Sequence, residues 1–226
     1  MKKNLIIIFA LWIQFFLAGS AFALMTNDSG QLCSAFKDVE LEQSFISKML
    51  EAASNGTLYK IRPETSKAGF CVRGPMGMVK AEFRQFQGGV ALPDARSQQA
   101  AALVSLDVNS LESNSFLADS LLKSDGFLDA EAHPKITFVG KDVVWISPTK
   151  AVIKGELSMH GVTREVAFYI EFSASTEQQY SSDTVRIKAS TTISRSEFGL
   201  NAFAAVDDKV NLCLQVDAQR YYVEPL

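Results

Sequence analysis

Very little in this sequence is equipped for catalysis. It holds two histidines in 226 residues, and it contains no G-x-S-x-G elbow, no glycine-rich phosphate loop and no H-E-x-x-H. An enzymatic reading therefore has no nucleophile, base or metal motif to start from. The three cysteines form no C-x-x-C pair, and His133 and His160 lie far apart in the chain without flanking ligand patterns, so no metal and no other cofactor are expected. Positive charge is also scarce. With 22 basic against 25 acidic residues, the net charge is −3, which provides no field to neutralise a phosphate backbone and excludes nucleic acid as an expected partner. Composition is not biased: 47% hydrophobic and 21% charged residues, with 13 Gly and 6 Pro, exclude a disordered chain, a collagen-like repeat and a disulfide-packed miniprotein.

Long apolar runs are limited to one. Leu5 to Leu17 is apolar apart from Gln14, follows Lys2 and Lys3, and precedes Ala21-Phe22-Ala23, the pattern of a secretory leader cleaved near Ala23. The run is shorter than the roughly 20 residues a bilayer-spanning helix needs, and Cys33 lies too far from it for lipid attachment. Residues 1–23 are read as a leader and the mature protein as periplasmic or secreted, without a stable membrane anchor. In such an oxidising compartment three cysteines predict one bridge and one spare thiol.

Residues 24–56 read as a helical extension. Leu41, Phe45 and Met49 recur at spacing four within Lys37–Ser54, with Ile46, Leu50 and Ala53 beside them and Glu40, Gln43, Ser47 and Lys48 opposite. This is an amphipathic helix stopped by Asn55-Gly56. It either covers an apolar patch of the domain or acts as a lid on a cavity.

From residue 57 to 226 the period is two. Strands are predicted at about 58–73, 78–91, 101–109, 135–146, 150–159, 164–175, 183–194 and 209–222, separated by turn-formers such as Gly74-Pro75, Ser147-Pro148 and Asp207-Asp208. A short helix at about Ser115–Lys123 interrupts them. One face of each strand is apolar, as in Val166, Phe168, Ile170 and Phe172, while the other carries residues such as Lys154, Glu156, Arg186 and Lys188. Eight such strands make an all-β fold, either a closed antiparallel barrel or a two-sheet sandwich. An eight-stranded barrel is just wide enough to be filled by side chains or to hold one slender ligand.

The stretch from Asp119 to Asp129 followed by His133-Pro-Lys-Ile-Thr-Phe138 resembles the signature of the YceI family of periplasmic polyisoprenoid-binding proteins. Gly155-Glu-Leu-Ser-Met-His-Gly-Val-Thr163 with Val166, and Thr191-Thr-Ile-Ser-Arg-Ser-Glu-Phe-Gly199, agree with it, as does the opening Leu58-Tyr-Lys-Ile-Arg-Pro63 less closely. The resemblance covers residues 58 to about 222. It implies an eight-stranded antiparallel, lipocalin-like barrel whose apolar interior holds an isoprenoid or another long-chain amphiphile, and a binding protein rather than an enzyme. Where the family commonly has an acid, a proline and a histidine near the first strand, this chain has Arg62, Pro63 and Thr65. The helical extension is additional to the usual domain.

Such an interior binds by removing hydrocarbon from water, at roughly 0.8 kcal/mol per methylene. The lining candidates are Phe138, Ile153, Leu157, Phe168, Ile170, Phe172, Ile187, Ile193, Leu212 and Leu214. Two polar residues are candidates for a ligand head group. Arg195 continues the inward alternation and offers a fork of donors to a phosphate or carboxylate; it is alternatively the partner of Glu197 or Asp207. His160, in the Met159-His-Gly-Val turn, either meets a head group or fixes the hairpin. Asp119, Asp125 and Asp129 lack calcium-loop spacing and read as caps of the short helix and its exit turn. Cys71 and Cys213 fall on the outward phase of the first and last strands, which adjoin in a closed barrel, so a seam disulfide is expected, with Cys33 as spare or alternative partner. A rival to lipid carriage is an envelope interaction module with a filled barrel and a partner-docking helix. Homodimer formation is open on this reading.

Overall fold

The computed structural model describes residues 41–75, 77–92, 99–174 and 182–222. The expected leader at 1–23, Cys33 and the first residues of the predicted extension helix lie outside the described residues.

Eleven strands build the domain: β1 (Leu58–Ile61), β2 (Lys67–Gly74), β3 (Gly77–Phe83), β4 (Phe86–Ala91), β5 (Ala101–Asp107), β6 (Leu111–Ser113), β7 (Lys135–Ser147), β8 (Lys150–Met159), β9 (Val162–Phe172), β10 (Thr184–Ser194) and β11 (Lys209–Arg220). Six of them are half-strands. A single 3-10 turn at Pro63–Thr65 separates β1 from β2, Arg84 and Gln85 separate β3 from β4, and a second 3-10 turn at Val108–Ser110 separates β5 from β6. Joining the halves leaves eight staves, each antiparallel to its neighbour in sequence. The ring closes where β11 pairs with both β1 and β2, with Tyr59 opposite Arg220 and Phe70 opposite Leu212. The protein is thus a closed eight-stave antiparallel barrel, and the sandwich alternative falls away.

The seam is fastened from both sides. The Arg220 guanidinium lies 4.9 Å over the Tyr59 ring and donates to the Ser182 carbonyl at 3.0 Å. The Tyr221 amide donates to the Leu58 carbonyl at 2.8 Å, so the first and last strands of the barrel end side by side.

The backbones approach closely where β7 faces β8. Gly140 stands opposite Gly155, and the register shifts between Gly140 and Asp142. A Cβ at Gly155 would lie 2.2 Å from the Val139 carbonyl oxygen and 2.6 Å from the Gly140 Cα, both main-chain atoms that cannot turn aside. Gly155→Ala is accordingly expected to destabilise the barrel by about 1–3 kcal/mol, measurable by urea denaturation.

Among the described residues two helices accompany the barrel, α1 (Gln43–Ser54) and α2 (Phe116–Lys123). The inward side of α1 is Phe45 and Ala52, both buried, with Met49 near Gly89 of β4. Val90 points into the barrel, so Gly89 faces outward and α1 covers the outer wall instead of capping the interior. The expected stripe proves narrower: Ile46 and Leu50 are exposed. Helix α2 is capped by Ser115, whose hydroxyl accepts from the Ala118 amide, and it buries Leu122. No helix among the described residues is long and apolar enough to cross a membrane.

Candidate functional site

The inward side chains of the staves do not fill the barrel. They surround a cavity of about 150 Å3, space for on the order of ten water-sized groups. Its walls run from Ala151 to Met159 along β8, eight residue steps or roughly 26 Å of strand at 3.3 Å each. At the usual barrel tilt this is roughly 20 Å of axial length. The space is therefore long and narrow, and among the described residues that line it only Arg195 is charged.

All ten predicted lining residues border this cavity. They belong to β7–β11, the staves that each run as a single strand, and they pack edge to face in places, as Phe138 does on Phe168 with ring centroids 4.8 Å apart. The cavity also has walls that the alternation did not expose. Val143 and Trp145 line it because the register shift after Gly140 reverses which residues of β7 point inward. Trp145 stacks on Phe172 at 5.2 Å, at the end of the barrel nearest the β7–β8 turn. Phe127, Leu128 and Leu200 come from non-repeating segments and close the opposite end.

Arg195 belongs to that closed end, and its role differs from both sequence expectations. It is only 6% exposed, follows β10 directly and opens a 3-10 turn ended by left-handed Gly199. Residues 200–207 fold back around its guanidinium. Nε donates to the Asp207 carbonyl at 3.1 Å, one Nη donates to the carbonyls of Leu200 and Ala202, and the other to those of Phe203 and Val206 at 3.1 and 3.0 Å. Five N–H groups thus meet five carbonyl acceptors. The fork is fully used, leaving no donor for a phosphate, and the expected ion pair with Glu197 or Asp207 is replaced by backbone oxygens. Carbonyl dipoles solvate the guanidinium without cancelling its charge, and among the described residues no carboxylate pairs with it. The cation also sits 5.9 Å from the Phe127 ring centroid. The charged group that borders the apolar cavity at this end is thus a cation held by backbone carbonyls.

His160 does not line the cavity. It occupies the β8–β9 turn with φ +52°, and its Nδ1 donates to the Phe198 carbonyl at 3.2 Å, tying the turn to the Arg195 segment. His133, distant from it in the chain, lies against it with ring centroids 5.2 Å apart. Of the three aspartates read as caps of the short helix and its exit turn, Asp119 accepts from the Ser113 amide at 2.6 Å, ahead of α2, and Asp129 from the Ala132 amide at 3.2 Å, in the bend that follows α2, while the N-cap itself is Ser115.

The seam disulfide is also corrected. Cys71 and Cys213 are on adjacent strands as expected, but both are free thiols. The register sets Cys71 opposite Asn211 and Cys213 opposite Gly69, which places the two cysteines on a diagonal. Diagonal neighbours stand about 7–8 Å apart, beyond the Cα separation a disulfide usually spans. Partial burial, and then the adjacent Cys71 thiol, push the Cys213 pKa above the ordinary thiol range.

The model of the YceI-like domain matches residues 59–218, which is the whole barrel but for its outermost residues. The chain belongs to the YceI-like family. A UPF0312 protein of Pseudomonas putida strain F1 is 27% identical over 139 residues, covering 62% of this chain and 72% of that protein. A UPF0312 protein of Vibrio cholerae serotype O1 is 25% identical over 127 residues, covering 56% of this chain and 67% of its own. Among solved structures, Burkholderia cenocepacia BcnA superposes with a TM-score of 0.63 at 19% identity, over 70% of this chain and 99% of that one. A polyisoprenoid binding domain from Saccharophagus degradans, implicated in plant cell wall breakdown, does so at 0.55 with 14% identity, over 72% and 98%. These structural likenesses share the YceI-like barrel. The α1 extension, at Gln43–Ser54, precedes the matched region.

Proposed function

We propose that this protein is an exported, non-catalytic carrier that holds the hydrocarbon of a polyisoprenoid or another long-chain amphiphile inside its barrel. The observation that carries this reading is the long apolar cavity with one buried, carboxylate-free cation at its end. A chain of on the order of ten methylenes in that space gains roughly 8 kcal/mol by leaving water, before the cost of association. The cation at this end favours an anionic or strongly electronegative head group nearby, held by field rather than by hydrogen bonds to Arg195. The polyisoprenoid binding domain from Saccharophagus degradans, which shares the barrel, supports the isoprenoid class of ligand. Cleavage after Ala23 delivers the carrier to an aqueous compartment between or outside membranes, where such a ligand needs shelter.

The rival module with a filled barrel is disfavoured by the cavity itself, and α1 is occupied in covering the outer wall. Native mass spectrometry of protein purified without detergent tests the proposal. The expected spectrum shows one added lipid mass per chain, removable by organic extraction and restored on offering an isoprenoid alcohol or its phosphate. Protein that is isolated empty and takes up neither compound overturns the reading.

A further inference from the structure

We infer that Asp129, His133 and His160 form a binding site for a divalent transition-metal ion of the Zn2+ class, placed at the Arg195 end of the barrel. These two imidazoles are all that the chain possesses. They are 27 positions apart (160 minus 133) and arrive from different elements, His133 from the segment between α2 and β7 and His160 from the β8–β9 turn. One ligand atom from each of the three side chains falls within 4.8 Å of the other two. The ligand atoms of a tetrahedral Zn2+ ion stand about 3.3 Å apart, given bonds of 2.0–2.1 Å. Small side-chain rotations close that difference.

The surrounding backbone is arranged to present these groups. The His133 amide donates to the Asp129 carbonyl at 2.7 Å, which folds both residues into one tight bend, and Asp129 itself is left-handed at φ +48°. Gly161, at φ +71°, leaves the space that His133 occupies: a Cβ there would lie 2.8 Å from the His133 Cε1. His160 is oriented independently. A carbonyl only accepts, so the hydrogen bond to Phe198 puts the proton on Nδ1 and leaves the lone pair on Nε2. A backbone carbonyl holding one ring nitrogen while the other faces the ion is the usual support of a metal-binding histidine. The Asp129 carboxylate accepts one amide, from Ala132, and keeps further lone pairs.

Two imidazoles and one carboxylate suit Zn2+, Co2+, Ni2+ or Cu2+ and not the all-oxygen shells of Mg2+ or Ca2+. Three protein ligands also leave a coordination position open. Phe127 and Leu128, which close the cavity, immediately precede Asp129, while Phe198 lies three residues after Arg195. An ion at this point would clamp the segment carrying that closure onto the β8–β9 turn.

Titration of the full metal-free chain with Zn2+ by calorimetry, and with Co2+ by visible absorption, tests this. One ion per chain is expected, with the Co2+ bands of a low-coordinate site. Asp129→Asn and His160→Asn keep residues tolerant of left-handed backbone, so both variants are expected to fold with unchanged circular dichroism while binding Zn2+ at least about 100-fold more weakly. A Cys71→Ser, Cys213→Ser double variant should bind as the parent does. Absence of stoichiometric binding, binding unaffected by both ligand variants, or binding that disappears only with the cysteines would each overturn the inference. Lipid content does not enter the readout, so the result is independent of the carrier proposal.

Discussion

Arg195→Leu is expected to lower the unfolding free energy by about 3–5 kcal/mol, because it strands five carbonyl acceptors that were organised around one guanidinium. For a domain of this size each kcal/mol moves the melting temperature by about 2–4 °C. Thermal denaturation followed by circular dichroism should therefore show a fall of at least about 6 °C. Arg195→Lys should recover little, since an ammonium has three donors on one atom and cannot reach carbonyls spread over residues 200–207. A leucine variant as stable as the parent would mean that the 200–207 segment holds its shape without the cation. The head-group reading makes a different demand: if Arg195 acted by contacting ligand, its loss would weaken uptake and leave the melting temperature of ligand-free protein unmoved.

Ala189→Phe is expected to abolish lipid uptake while the barrel stays folded. Ala189 lines the cavity between Ile170 on one neighbouring strand and Leu214 on the other. A phenyl ring there adds six ring carbons to a space that holds on the order of ten such groups. Losing room for about six methylenes forfeits on the order of 5 kcal/mol of transfer free energy, a factor of more than about 1,000 in affinity. Displacement of a fluorescent long-chain probe measures the loss, and a thermal melt checks the fold. In a well-packed interior the same substitution would cost about 1–3 kcal/mol by overpacking, so a melting temperature close to the parent's is itself a sign of free space. Undiminished uptake in a folded variant would place the ligand elsewhere.

Period-two alternation made the staves readable, because each strand has one wet and one dry face and the dry face points to a single interior. It worked best in β8–β11, which supplied nine of the ten predicted wall residues, the tenth being Phe138 on β7. It failed where geometry breaks the period. Val143 and Trp145 follow a register shift that swaps the faces of β7. Phe127 and Leu128 sit in a segment with no repeat at all. The environment of Arg195 was illegible for another reason: its partners are main-chain carbonyls, which every residue possesses, so no side-chain identity announces them. Cys71 and Cys213 required the register of β11 on β2, and a slip of two positions decides between a bridge and two thiols. His133 and His160 meet across a turn at His160 and a bend at Asp129 that both adopt left-handed backbone, which a residue list does not reveal.

The hydrogen bond from Tyr221 to Leu58 bears on how this domain can be joined to other segments. Since the barrel's entry and exit strands emerge together, a short peptide would suffice to link them, and new ends cut at any exposed turn would preserve every stave. A module of that kind can be spliced into a host loop or carry an appendage such as α1 without retuning its interior.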